Sequence, residues 1–165
     1  MGIDPLLETM NKLRELHMAL FDLAVEKTPI LVRNAVDELN AIVNKEGKLM
    51  RSIAELERER IMRVNEYLLA RGYNPNPKIT ISDLVKVIFK AEEKIALAES
   101  QKNLIEAISK LKERNSLNQK LVEQSLAFID YSLDLVIGAP EDDMMYQNPQ
   151  RQKNNNRLGI FDTRA

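Results

Sequence analysis

The stretch AVDELNAIVNKEGKLMRSIAELERERIMRVNEYLLAR, residues 35–71, decides the fold of this protein. Its apolar side chains recur at spacings of three and four, the pattern of a helix with one buried face. The predicted buried residues are Val36, Leu39, Ile42, Val43, Leu49, Met50, Ile53, Leu56, Ile61, Val64 and Leu68. No proline interrupts the stretch, so it predicts a single helix about 55 Å long. Helices of that length usually belong to bundles or antiparallel coiled coils.

A second long helix precedes this stretch. Asp4 is predicted to cap its N-terminus, with Pro5 at the first helical position, where a missing N–H does no harm. Pro29 is predicted to kink the helix without ending it, so that it continues to about Arg33. Asn34 is predicted to adopt a left-handed conformation at the turn and also to cap the following helix.

A short helix and a third long one follow. Gly72 and two prolines beyond it predict a stop, and Thr80 with Asp83 is predicted to form a capping box, with Ile79 packing onto Leu84. The third long helix is predicted over residues 91–137. Its predicted apolar stripe consists of Ile95, Ala98, Leu104, Ile105, Ile108, Leu111, Leu121, Val122, Leu126, Phe128, Ile129, Leu133 and Val136. The fold class is therefore all-α: a bundle or antiparallel coiled coil of three long helices plus one short connecting helix, over residues 1–137.

Composition excludes several classes of function. The 165 residues contain no cysteine, which excludes disulfides, thiolate catalysis and cysteine-ligated metal. With 24 basic and 25 acidic residues the net charge is −1. The protein therefore lacks the positive electrostatic potential that attracts nucleic acid. No apolar run approaches the ~18 residues of a membrane span, and a cytoplasmic location is expected without membrane insertion.

The sequence contains few residues that could form a catalytic site. His17 is the only histidine, and its position among leucines on a helix indicates a satisfied or surface-edge side chain. The five glycines lie too far apart for a phosphate-binding loop. We therefore predict neither an enzyme nor a cofactor or metal site.

Two asparagines interrupt the stripe of the third long helix. Asn115 and Asn118 occupy positions where a heptad pattern expects apolar side chains. They either form a polar layer that fixes the helix register, or mark a stretch that leaves the bundle and presents a face to a partner.

The last 28 residues, 138–165, are predicted to be a flexible tail because their polar composition cannot offset the entropy of ordering. The tail nevertheless contains apolar clusters, which are typical of segments that fold on binding. Met144-Met145-Tyr146 is one cluster, and Leu158, Ile160 and Phe161 are predicted to be anchors for a partner.

Several residue patterns together resemble the flagellar type III export chaperones of the FlgN type. The resemblance covers essentially the whole chain, although each motif alone carries little information. The patterns are Leu16-His17 to Glu26-Lys27-Thr28, the turn at Asn34, Glu46 to Glu55-Leu56-Glu57, the series Leu111, Asn115, Asn118, Leu121, Gln124, Ser125 and Leu126, and the ending Phe161-Asp162-Thr163-Arg164-Ala165.

The resemblance implies a cytoplasmic chaperone for the two hook–filament junction proteins. It would keep their assembly-prone terminal helices from polymerising and deliver them to the flagellar export gate. Such a role suits an apolar stripe that receives an amphipathic helix, and it requires no cofactor.

The resemblance also implies which residues would act. The substrate face would be Leu121, Val122, Leu126, Phe128, Ile129 and Leu133, with Asn115 and Asn118 as polar contacts. Tyr146 falls where many members have a tail tyrosine implicated in docking to the export gate. Here Gln147-Asn148-Pro149 follows without the family's glycines, so a lone tyrosine in a loose tail is the alternative.

A different class of function is also compatible with these patterns. A structural or regulatory adaptor would form a homodimer through the second and third long helices and have no export client. Deleting residues 138–165 would weaken partner binding by a chaperone but leave the adaptor's dimer intact. A third possibility, that the protein is itself exported, is disfavoured because Asp4-Pro5 opens a helix.

Overall fold

A computed structural model describes residues 2–138. It contains the helices α1 (Asp4–Arg33), α2 (Val36–Ala70), α3 (Ile81–Val87) and α4 (Ala91–Ile137), and this part of the chain has no strand. The predicted all-α fold of three long helices and one short helix is confirmed. Apart from Gly138, the predicted tail lies outside the described residues. The chain divides into two compact units, Met1–Gln124 and Ser125–Ala165, and each is described by itself.

The ends of α1 and α2 have a common hydrogen-bonding pattern. At the end of α2, Tyr73 N donates to Leu68 O and Gly72 N donates to Leu69 O, both at 3.0 Å, while Gly72 has a φ of 79°. This is the Schellman arrangement, which needs a left-handed residue. At the end of α1 that residue is Asn34, with a φ of 54°, as its sequence context predicts.

Two predicted caps are wrong. Asp4 is the first residue of α1 and Ile3 occupies the N-cap position, where no side chain makes a capping bond. Ile3 is buried in the core, and the helix begins directly after it. Asn34 does not cap α2, whose N-cap is Ala35, because a left-handed residue cannot adopt the extended conformation usual at that position.

The capping box of α3 is confirmed. Thr80 Oγ1 accepts a hydrogen bond from Asp83 N at 3.1 Å, and Asp83 Oδ2 accepts one from Thr80 N at 3.3 Å. Leu84 is fully buried in the core, and Ile79 packs against the same cluster. The short helix thus covers the end of the bundle at which α1 begins and α2 ends.

The core combines side chains from all four helices. Its members include Ile3, Leu6, Met10, Leu13, Val64, Tyr67, Leu68, Ile81, Leu84, Ile88, Leu97 and Leu104. The backbones of α1 and α2 approach closely and run antiparallel, since Thr9 contacts Glu59 and Lys27 contacts Glu46. Within Met1–Gln124, α4 runs parallel to α1, so the topology is up, down, up.

The buried face of α4 is only partly the predicted stripe. Ile95, Ile105 and Ile108 are exposed, Ile95 by 66%. A seam of buried and half-buried residues follows α4 at alternating spacings of three and four: Leu97, Ser100, Leu104, Ala107, Leu111, Arg114, Asn118 and Leu121. Leu104, Leu111 and Leu121 were predicted, but the seam contains three polar residues, so an apolar-only pattern identifies only part of it.

Part of the predicted buried face of α2 is also wrong. Ile42, Val64 and Leu68 are buried, and Leu39, Leu49, Ile53 and Leu56 are half-buried. Val36, Val43, Met50 and Ile61 are exposed. The buried residues follow the side of α2 that faces α1, and the exposed ones lie on a neighbouring face that no helix covers within the described residues of this unit.

A polar cluster joins the end of α2 to the start of α4. Tyr67 Oη donates to Glu93 Oε2 at 2.9 Å, and Arg71 donates to the same oxygen at 3.1 Å. The Arg71 guanidinium also lies 4.6 Å from the centroid of the Tyr67 ring. Burial raises the pKa of Tyr67 from 10.0 to about 12, and the hydrogen bond to Glu93 acts in the same direction.

This pKa shift predicts a loss of stability in alkali. The unfolded chain releases the Tyr67 proton near pH 10 and the folded chain only near pH 12, so the stabilisation by Tyr67 is complete below pH 10 and lost as the pH rises towards 12. We expect Tyr67→Phe to lower the melting temperature at pH 8 and the difference from wild type to vanish near pH 12. Thermal unfolding of both proteins across this range provides the measurement, and a constant difference would contradict the assignment.

Candidate functional site

The second unit exposes a continuous apolar face on α4. Leu126, Ile129, Leu133 and Val136 recur at spacings of three and four and therefore lie on one side of the helix. Each is about half exposed or more. Ala127, Asp130 and Asp134 follow the same spacing on the polar side, so this segment is amphipathic.

More apolar side chains widen this face. Phe128, Tyr131 and Leu135 form a second row along the helix, and all three are at least 60% exposed. Ser125 and Ser132 lie between the two rows. Contiguous exposed apolar surface is uncommon on proteins that act alone and marks interaction sites. We call Leu126, Phe128, Ile129, Leu133, Leu135 and Val136 the α4 face.

The first unit contains a groove of a different kind. A cavity of about 430 Å³ lies where α1, α2 and α4 meet. We call it the three-helix groove, and its lining residues are Leu20, Lys27, Leu31, Glu46, Met50, Leu111, Asn115, Asn118, Gln119 and Val122. Met50 is 61% exposed and Val122 is 40% exposed, so both walls of the groove present apolar surface to solvent.

One wall of the groove is fixed by hydrogen bonds of Asn118. Its Nδ2 donates to Ala24 O at 2.8 Å, and its Oδ1 accepts a hydrogen bond from Thr28 Oγ1 at 2.8 Å. Asn118 is only 4% exposed. A buried amide with both groups paired holds α4 to α1 in one register, which fits the polar-layer interpretation of this residue.

An ion pair forms another part of the lining. Lys27 Nζ lies 2.6 Å from one oxygen of Glu46 and 2.7 Å from the other. Both side chains are largely buried, with 17% and 16% of their surface exposed. The pair joins α1 to α2, and each charge is neutralised by the other.

The residues predicted from the sequence to bind a client fall into two groups. Asn115, Asn118 and Val122 line the three-helix groove, while Leu121 is half-buried beside them in the α4 seam. Leu126, Phe128, Ile129 and Leu133 belong to the exposed α4 face of the second unit. Tyr146, Leu158, Ile160 and Phe161 lie outside the described residues.

The sequence did not predict that residues of α2 line the three-helix groove. Glu46 and Met50 line the groove, although the sequence interpretation placed Met50 in the core. A signal was available, since Val43, Gly47, Met50 and Ala54 form a row of apolar and small residues at spacings of four and three.

Residues 2–138 offer little for catalysis or metal binding. His17 Nδ1 lies 2.7 Å from Leu13 O, and a carbonyl can only accept, so this nitrogen carries a hydrogen. Residues 2–138 hold no group of three or more His, Asp or Glu side chains arranged to bind a metal ion. Within the same residues no helix has the length and hydropathy that crossing a membrane requires.

Comparisons with known proteins identify relatives of this chain. A model of the family described as FlgN protein matches residues 1–154. A Bacillus subtilis (strain 168) protein named "Uncharacterized protein YvyG" is 28% identical over 167 residues, and the match covers 100% of both chains. No solved structure matches.

Proposed function

The chain belongs to the FlgN family, and from this premise we propose that it is a flagellar type III export chaperone for hook–filament junction proteins. The family is one of chaperones rather than enzymes. In the proposed role the protein binds its clients in the cytoplasm, prevents their premature assembly and delivers them to the export gate. No cofactor takes part in these steps.

One observation carries the proposal: the α4 face is apolar, amphipathic and exposed. Burial of apolar side chains contributes about 25 cal/mol for each Å² removed from water, so a helix that covers this face gains binding energy. An amphipathic helix of the client is the expected occupant, because two apolar stripes of spacing three and four pack against each other. The contacts proposed for the client are Leu121, Val122, Leu126, Phe128, Ile129 and Leu133, with Asn115 as a polar contact.

Asn118 takes a different part in the proposed site. Its amide is buried and already paired with α1, so it positions α4 instead of touching the client. The tail, residues 138–165, is proposed to bind partners as well, with Tyr146 docking to the export gate and Leu158, Ile160 and Phe161 as anchors.

Hydrogen exchange tests the proposal directly. The protein is measured alone and with a purified hook–filament junction protein from the same organism. We expect new protection in residues 115–165, with α2 unchanged outside its groove-lining turns. No new protection at concentrations well above micromolar would overturn the proposed function.

Two substitutions test the α4 face itself. Ile129→Asp and Leu133→Asp each place a charge where the client's apolar side chains would pack, and each is expected to weaken client binding at least tenfold. Both residues are about half exposed, so helicity and thermal stability are expected to stay close to wild type. Titration calorimetry measures the affinity, and circular dichroism measures the fold.

Ala127→Asp is the matched control. Ala127 lies on the polar side of the same turns, beside Asp130 and Asp134, so its replacement adds a charge without touching the α4 face. Binding is expected to be unchanged. Equal losses from all three variants would contradict a site on this face. A homodimer that the two face variants dissociate, without any client binding, would favour the adaptor.

A further inference from the structure

Gly47 lies inside α2, where no contact within residues 2–138 requires a glycine. Gly47 is the twelfth residue of α2, which runs without interruption from Val36 to Ala70, and it does not have a positive φ. A Cβ atom built on Gly47 would meet nothing within 4 Å. Glycine inside a helix is less stable than alanine, so neither backbone conformation nor internal packing accounts for it.

The surroundings of Gly47 indicate what could require it. It directly follows Glu46, which lines the three-helix groove, and it shares a face with Met50 and Val43. Both of these apolar residues are exposed, 61% for Met50 and 49% for Val43. Gly47 itself is not a lining residue, but it lies beside the lining residues Glu46 and Met50 and carries no side chain, which leaves room for a second backbone to approach α2 closely at the edge of the groove.

The far wall of the groove has a matching pattern. Asn115 and Val122 line the groove from α4, seven residues apart on one side of the helix, and Val122 is 40% exposed. Ile108 lies seven residues before Asn115 on the same side of α4, outside the groove lining, and is also 40% exposed. The backbones of α1 and α2 approach each other closely, whereas α4 stands further from them, which leaves room beside it within this unit.

The charges of the groove define the chemistry of an occupant. Lys27 and Glu46 neutralise each other, so a charged side chain entering the groove would find no counter-ion at its floor. The rest of the lining is aliphatic, apart from the amides of Asn115, Asn118 and Gln119. The complementary surface is a row of uncharged aliphatic side chains with at most one neutral polar residue to meet Asn115.

We propose that the three-helix groove receives an amphipathic helix of the client, whose backbone crosses α2 at Gly47. The occupant is the fourth helix beside α1, α2 and α4. This inference rests on the proposed function and extends the client site from α4 to α2. Its sharpest consequence is that a side chain added at Gly47 obstructs the client without disturbing the chaperone's own fold.

Two substitutions of Gly47 separate binding from stability. Gly47→Ala is expected to raise the melting temperature by about 2–4 °C, since it removes the helix penalty and its Cβ meets no atom. Gly47→Leu is expected to melt no lower than wild type, and to bind the junction protein at least tenfold more weakly. A variant that gains stability and loses binding is the signature of an obstructed backbone contact.

Ala41→Leu is the matched control because it adds a side chain to the solvent side of the same helix, where Ala41 is exposed. Its affinity is expected to equal that of wild type. A Gly47→Leu protein that is folded and binds as wild type would overturn this inference alone, as would an equal loss in Ala41→Leu. If the wild-type protein fails to bind the junction protein, the proposed function itself fails.

Discussion

Replacing Leu97 with alanine is expected to lower the free energy of unfolding by about 2–5 kcal/mol, the usual range for a leucine removed from a packed core. Leu97 is 0% exposed and joins α4 to the cluster formed by α1, α2 and α3. Leu104 is the other α4 residue in this cluster. The loss is a large fraction of the 5–15 kcal/mol that stabilises a typical domain.

Urea unfolding followed by circular dichroism measures this change. Ile95→Ala is the matched control, because Ile95 lies two residues away on the same helix and is 66% exposed. We expect the control to lower stability by less than about 1 kcal/mol. Similar losses from the two variants would mean that the seam of α4 is wrongly placed.

Glu46→Ala is expected to lower the free energy of unfolding by about 2–3 kcal/mol. The substitution leaves the Lys27 ammonium largely buried without its carboxylate, and removing one partner of a buried pair is strongly destabilising. The pair Arg33 and Glu38 offers a control, since it too links α1 to α2 but has side chains 61% and 57% exposed. Glu38→Ala is expected to change stability by less than about 1 kcal/mol.

Chemical denaturation of Glu46→Ala and Glu38→Ala measures the two losses of stability. Equal losses would show that burial of the ion pair does not determine the cost of breaking it. The double variant Lys27→Met with Glu46→Met adds a second test. Replacing both charges with apolar side chains removes the desolvation penalty, so this protein is expected to be close to wild type or more stable. A large loss in the double variant would show that the pair contributes more than its burial costs.

The sequence allowed the helix boundaries to be predicted closely because their signals are local. Gly72 and Asn34 have left-handed conformations that few residues tolerate, and Thr80 with Asp83 satisfies the free N–H groups of α3 within four residues. These interactions need no other part of the chain. The caps at Asp4 and Asn34 failed where the core or the preceding helix determined the conformation instead.

Apolar spacing predicted only part of the buried face of α4. Two rows of residues compete on this helix, and the row containing Ser100 and Asn118 is buried although Ile105 and Ile108 belong to the other. Asn118 is accommodated because Ala24 O and Thr28 Oγ1 lie opposite it, and both belong to α1. The groove is likewise formed by three helices, so the row of apolar and small residues on α2 does not by itself show that this side of the helix borders a groove.

The parallel pairing of α1 with α4 also affects the order in which this protein acquires its structure. Asn118 bonds to residues 90 and 94 positions earlier, whereas α1 and α2 meet through a short turn. Local contacts form faster than distant ones because they close smaller loops. At a synthesis rate of about 5–20 residues per second, the 66 residues from Gly72 to Ile137 take roughly 3–13 seconds to synthesise. We therefore expect the hairpin of α1 and α2 to form during synthesis, seconds before α4 is complete and packs against it.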